Sequence, residues 1–272
     1  MRINNNMLAS NASRMLGVVQ GTMSKNMNKL SSGLRINGAA DDAGGLAISE
    51  KMRSQVRGLN QASKNTQDGI SLIQTAESAL SQTHSILQRM REMTVQSGTA
   101  TMGTTDRAAL QQEFSQLSKE IDDIANKTQF NNQNLLSGAA VNGLTLQTGA
   151  NVGDQTIVSI NAMHASGIGI SAGITIDTLA NASNAITILD GAISAVSTER
   201  SKLGAMQNRF EYKVKNIDGT SENLQSAESR IRDVDMAKEM VEYTKNDIIS
   251  QAAQAMLAKA NQAPQAVLQL LK

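Results

Sequence analysis

The 272-residue sequence contains no cysteine. A disulfide framework, a thiolate metal site and a cysteine nucleophile are therefore excluded. It has no Trp, and only three Phe and two Tyr. Large aromatic side chains usually carry much of a globular core, so their scarcity predicts thin packing of aliphatic and Met side chains. A single proline, Pro264, leaves little to break a long helix. No apolar run reaches the roughly 18 residues of a membrane span, so no membrane insertion is expected. The opening MRINNNMLAS lacks the uninterrupted apolar core of a secretory signal; the chain either stays inside the cell or leaves by a route that reads another address. Charge of one sign is also missing. The formal net charge is +1, without the basic excess of a nucleic-acid binder, and such balance suits copies that lie close together.

What is present is helical periodicity. Leu8, Ala12, Met15, Val19, Met23, Leu30 and Leu34 recur at helical spacing across residues 1–34, and this end is basic, the first acidic residue being Asp41. A Gly-rich break, GAADDAGG from Gly38, carries an Asp pair able to cap the next helix. The longest pattern covers residues 46–98. Met52, Val56, Leu59, Thr66, Ile70, Ile73, Ala76, Leu80, Leu87 and Met90 stand 3, 4 or 7 apart, a coiled-coil-like seam. At about 1.5 Å per residue, one such helix is roughly 80 Å long. A further helix over about 106–128 places Leu110, Phe114, Leu117, Ile121 and Ile124 on one face.

Residues 138–178 differ in kind. They hold seven of the 20 glycines, and Leu144–Gln147 and Ile157–Ile160 have the alternating or β-branched character of a small β-hairpin. From about 178 the helical period returns. Leu203, Met206, Phe210, Ile217, Leu224, Ala227, Ile231, Val234, Val241 and Ile248 read as one a/d register, with Gly219 as its weak point. Ile249, Ala253, Met256, Ala260, Val267 and Leu271 continue a weak amphipathic helix. The predicted fold class is mainly α: a long antiparallel helical coiled-coil rod, with a small β-hairpin and loop region in the middle of the chain.

The ends are the informative part. Their apolar stripes are narrow, diluted by Asn, Gln, Ser and Ala, and isolated helices of that content are barely stable in water. Pairing with each other covers one stripe only. Copies of the same chain are the natural cover for the rest, so the ends are expected to be mobile in the monomer and to order on assembly. The packing stripes expected to serve this are Leu8, Met15, Val19, Leu30, Leu34, Met256, Val267 and Leu271.

Chemistry is hard to find. His84 and His164 have no second His at ligand spacing, and HExxH is absent. Asp41 and Asp42 lack the alternating acids and terminal Glu of a calcium loop. The charges Arg230, Arg232, Asp233, Asp235, Lys238, Glu239 and Glu242 are expected to pair along a solvated helix face. No nucleophile–base–orienter set is visible. The sequence thus predicts no catalytic residues, no metal, no cofactor and no enzyme activity.

Several stretches together resemble the bacterial flagellins: INNN from Ile3, LSSGLRINGAADDAGGLAISEKM from Leu30, GISLIQTA from Gly69, LQRMREMTVQS from Leu87 and FNNQNLLSG from Phe130. Near the C-terminus, LGAMQNRF from Leu203, ESRIRDVD from Glu228 and AKANQAPQAVLQLL from Ala258 add to the resemblance. It covers about 1–140 and 178–272 in order. The resemblance implies a homopolymeric, extracellular flagellar filament used for swimming, with a hook–filament junction protein or another coiled-coil assembly protein as the alternative. It implies an inner terminal coiled-coil domain from 1–40 with 236–272, a helical rod domain from 41–137 with 178–235, and a short segment at 138–177 with no large outer domains. It further implies type III export, a secretion chaperone on the C-terminal segment, and filament cap and hook–filament junction proteins as partners. By the same resemblance Arg89, Glu92, Met93 and Glu113 are candidate contacts for Toll-like receptor 5. Met93 and Thr94 stand where Leu and Ala are more usual, and an Arg89–Glu92 pair along the helix is the competing explanation.

Overall fold

The fold is that of a computed structural model, which describes residues 6–138, 143–170 and 173–270, with the side chains of 263–270 outside that description. Five helices and two short antiparallel strand pairs are described: α1 Met7–Ser32, α2 Ala43–Ser97, α3 Thr104–Lys127, β1 Gln129–Phe130, β2 Gln133–Asn134, β3 Leu144–Gln147, β4 Gln155–Val158, α4 Leu179–Arg232 and α5 Met236–Leu270. The fold is mainly helical, as the periodicity predicts.

Local chemistry sets the helix ends. The Asn6 side chain accepts from the Ala9 amide at 3.1 Å and caps α1. Gly33, at φ 71°, ends it in the left-handed conformation that glycine adopts without strain. Asp42 accepts from the Gly45 amide at 2.8 Å and starts α2. Asp106 reaches back to the Gly103 amide, 3.2 Å away, at the start of α3. Thr178 accepts from the Asn181 amide at 3.2 Å, and Asp235 from the Ala237 and Lys238 amides.

The chain divides into two compact units. In the unit of residues 55–222, α2 and α4 run antiparallel, fastened along their length by Asn60–Ser221 (2.8 Å), Ser63–Asp218 (2.9 Å), Glu77–Arg200 (2.8 Å) and Arg91–Asp190 (2.7 Å). Between these fastenings lies the core: Ile73, Leu80, Leu87 and Met90 from α2, Phe114 and Ile121 from α3, Leu189, Leu203 and Phe210 from α4, closed by Leu135, Leu136, Ile160 and Ile170. The expected seam residues Thr66, Ile73, Ala76, Leu80, Leu87 and Met90 are buried. Two of the three Phe residues are fully enclosed here; aliphatic side chains and Met supply most of the rest.

The middle of the chain holds the expected hairpin, β3 with β4, although the second strand begins at Gln155 rather than Ile157. A second hairpin, β1 with β2, was not expected. Asn131 and Asn132 form its two-residue turn with φ 50° and 61°, the conformation a type I′ turn needs and Asn tolerates.

The other unit, 1–54 with 223–272, contains α1, α5 and the adjoining ends of α2 and α4. Here one expectation fails. The helical register does not run unbroken from 203 to 248 with its weak point at Gly219. Gly219 lies inside α4, and the chain breaks at Asp233–Asp235 instead. The break resets the helical phase, which turns Val241 and Ile248 outward, 65% and 66% exposed.

Candidate assembly surface and receptor-facing residues

Within the terminal unit, α1 and α5 pack antiparallel. Lys29 lies 3.9 Å from Glu239, and the Asn6 side chain donates to the Ala260 carbonyl at 2.8 Å. The covered positions of α1 are Ala9, Ala12, Leu16, Val19, Met23, Asn26 and Leu30; those of α5 are Glu239, Tyr243, Asn246, Ser250, Ala253, Leu257 and Ala260. Spacings of 3 and 4 alternate on both helices, the pattern of a coiled-coil seam. Its composition is unusual, because α5 contributes mostly small or polar residues. Larger apolar side chains point outward: Leu8, Met15 and Val18 from α1, with Val241, Ile248 and Met256 from α5, each 62% to 66% exposed. Six large apolar side chains left exposed along one helix pair mark it as a candidate interaction face.

The expected packing stripe therefore splits. Val19 and Leu30 lie in the seam, whereas Leu8, Met15 and Met256 face outward. Leu34 sits at the junction, in an antiparallel bridge with Asp233. The side chain of Val267, and Leu271 altogether, lie outside the described residues.

That junction is closely stitched. The Arg35 amide donates to the Arg232 carbonyl at 2.6 Å, and the Val234 amide to the Gly33 carbonyl at 3.0 Å. The Arg35 guanidinium donates to the carbonyls of Ile231 and Arg230 at the end of α4, satisfying groups a helix end leaves open. Arg232 pairs with Glu50, and Arg53 with Glu228 at 2.8 Å. The charges near residue 230 thus do more than pair along one helix face: Arg232 and Glu239 reach other helices, and Asp235 caps α5. Spacing within one segment gave no signal of these partners, which are far away in sequence.

The residues proposed to face a receptor lie in the other unit. The Arg89 guanidinium donates twice to one Glu113 oxygen, at 3.1 and 3.2 Å, and once to Glu92 at 3.5 Å. All three side chains are about half exposed or more. Glu113 first and Glu92 second stabilise the charged guanidinium, which raises its pKa above the ordinary value. Met93 does not share this surface: it is fully buried in the core of α2, α3 and α4. Its side chain is therefore a packing residue, because a helix presents adjacent residues in directions about 100° apart. Thr94 is buried too, and its hydroxyl donates to the Met90 carbonyl at 2.7 Å.

Comparison with known proteins identifies the family. Residues 3–140 match the bacterial flagellin N-terminal helical region, and residues 186–271 the bacterial flagellin C-terminal helical region. A flagellin of Halalkalibacterium halodurans is 58% identical, with all of both chains covered. One of Bacillus subtilis is 51% identical, again with all of both chains covered. Among solved structures, Bacillus cereus flagellin aligns with a TM-score of 0.51 at 32% identity, covering 61% of this chain and 94% of that one. The hook–filament junction alternative is not favoured by this agreement. The chain belongs to the bacterial flagellin family and is a structural subunit that self-assembles into the flagellar filament.

Proposed function

We propose that the outward apolar faces of α1 and α5 are the surfaces by which sister subunits hold one another in the filament. The observation that carries this is that the terminal pair leaves Leu8, Met15, Val18, Val241, Ile248 and Met256 outside, while α5 offers mostly small and polar residues to the seam. Burial of those side chains by neighbouring copies drives association, and repetition of one non-closing contact makes an open helical polymer. On this proposal residues 1–40 with 236–272 form the inner domain of the filament, 41–137 with 178–235 the domain outside it, and 138–177 a short surface segment.

The same proposal covers the rest of the subunit's path. The ends are mobile before assembly and order within the polymer. The chain leaves through the flagellar type III export apparatus, its C-terminal segment held beforehand by a secretion chaperone. It then adds to an extracellular filament between the hook–filament junction and the cap. Small register shifts between packed helices let the filament supercoil. Arg89, Glu92 and Glu113 form a charged patch that Toll-like receptor 5 contacts; the half-exposed Arg89 supports this, and Met93 is left out as buried.

The decisive experiment places a charge on the outward faces. Met15→Asp and Ile248→Asp should abolish polymerisation, followed by light scattering and electron microscopy, while the helical content of the 55–222 unit is retained. Ordinary filaments from both variants would refute the proposal.

A further inference from the structure

The seam between α1 and α5 has a polar centre. Asn26 is 7% exposed. With its amide oriented by the surrounding network, its nitrogen donates to Glu239 Oε1 and to the Thr22 carbonyl, and its oxygen accepts from Asn246 Nδ2, each at 3.1 Å. Lys29 lies 3.9 Å from the same Glu239. Ser250, one step along the seam, is 4% exposed. Leu16, Val19, Met23 and Leu30 of α1 and Tyr243 and Leu257 of α5 also line the seam, but apolar knobs alone discriminate weakly between registers. Ala9 and Ala12 on one helix, and Ala253 and Ala260 on the other, are small knobs that fit many holes.

We propose that the Asn26–Glu239–Asn246 cluster is the element that selects the register of α1 against α5, a proposal that rests on the filament-subunit reading and specifies how that subunit is aligned. The bridge at Leu34 and Asp233 fixes where the two helices enter the pair. The cluster fixes how they mesh two turns further on. A slip of three or four residues would keep the small residues packed but would carry Asn26 away from both partners, leaving buried polar groups unpaired. A single buried asparagine is known to specify register in coiled coils in this way. The alignment it selects also decides which outward residues of the two helices stand side by side for a neighbouring copy.

The cysteine-free sequence makes the test direct. Full-length chains carry Asn6→Cys with Ala260→Cys, which reports the observed register, or Asn6→Cys with Leu257→Cys, which reports a slip of three residues. Each pair is placed in the otherwise native chain and in the Asn26→Leu/Asn246→Leu background, polymerised, oxidised mildly, and scored for disulfides within one chain. In the native background the first pair is captured and the second is not. In the leucine background the ratio of second to first should rise about tenfold, equivalent to about 1.4 kcal/mol of lost discrimination. Capture of the first pair alone in the leucine background would overturn the proposal. So would capture of neither, which marks the cluster as a stabilising contact only. If the unsubstituted chain does not polymerise, the filament reading fails instead; if only the cysteine-bearing chains fail to polymerise, the same capture is read on the full-length chain in solution.

Discussion

Gly69 of α2 lies against the ring of Phe210 of α4: a Cβ on Gly69 would stand 3.1 Å from Phe210 Cε2 and 2.9 Å from Leu146 Cδ1. The close approach lets the largest buried side chain of α4 enter the core beside the backbone of α2. Phe210→Ala should therefore cost about 3–5 kcal/mol, by loss of buried surface and creation of a cavity. Gly69→Val should cost about 1–3 kcal/mol, by overpacking. Urea unfolding of the full chain measures both; an unchanged midpoint for Phe210→Ala would contradict its role as a core anchor.

Arg35 should resist replacement by lysine. Its planar head reaches two carbonyls at the end of α4, which a single ammonium matches poorly. Because Arg35 is exposed, the expected loss for Arg35→Ala is only about 1 kcal/mol. The larger effect is expected on assembly, since the junction of four chain segments loosens. Sedimentation of polymer from monomer of equal concentration checks this, and equal yields would show that the guanidinium is dispensable.

Met93 and Arg89 should separate cleanly. Met93→Ala empties part of a closed core and should cost about 2–5 kcal/mol in stability. Arg89→Ala removes a half-exposed pair and should leave stability within about 0.5 kcal/mol, with filaments intact, while lowering signalling through Toll-like receptor 5 in a reporter cell. Undiminished signalling would assign Arg89 to pairing with Glu92 and Glu113 alone.

Acid should loosen the turn between α1 and α2. The Asp41 carboxylate accepts from the Asn37 amide at 3.0 Å and the Gly38 amide at 3.2 Å, which holds its pKa below the ordinary 3.8. A carboxyl depressed by folding contributes its stability above its unfolded pKa and loses it as pH falls through the lower folded value. The turn should therefore be intact at neutral pH and open only below about pH 4. Amide exchange at Gly38 across pH, compared with Asp41→Asn, reads this. The variant should lack the acid-dependent component; an identical profile would remove Asp41 as its source.

Much of the helical plan was legible because it depends on local chemistry. Thr66, Ile73, Leu80 and Leu87 stand at coiled-coil spacing, and their burial follows from that spacing alone. Asp42 and the glycines around it marked the start of α2 by capping. The β1–β2 turn was less visible, since Asn131 and Asn132 mark a type I′ turn only when two very short strands flank them. Met93 was misplaced because resemblance identifies a segment, whereas the direction of each side chain depends on helical phase. Val241 and Ile248 were misplaced for a related reason: three non-helical residues at 233–235 restarted the phase, and extrapolation carried the old one across them.

The sequence by itself determined that the chain is mainly helical, that its ends are amphipathic and that its middle is short, because these follow from the spacing of apolar residues along one segment. Only the tertiary structure decided which side of each terminal helix faces its partner. That choice depends on hydrogen bonds such as Asn26 to Glu239 and on the bridge between Leu34 and Asp233, contacts between residues about 200 positions apart. No local pattern encodes such pairings, because their free energy exists only once both segments are folded side by side.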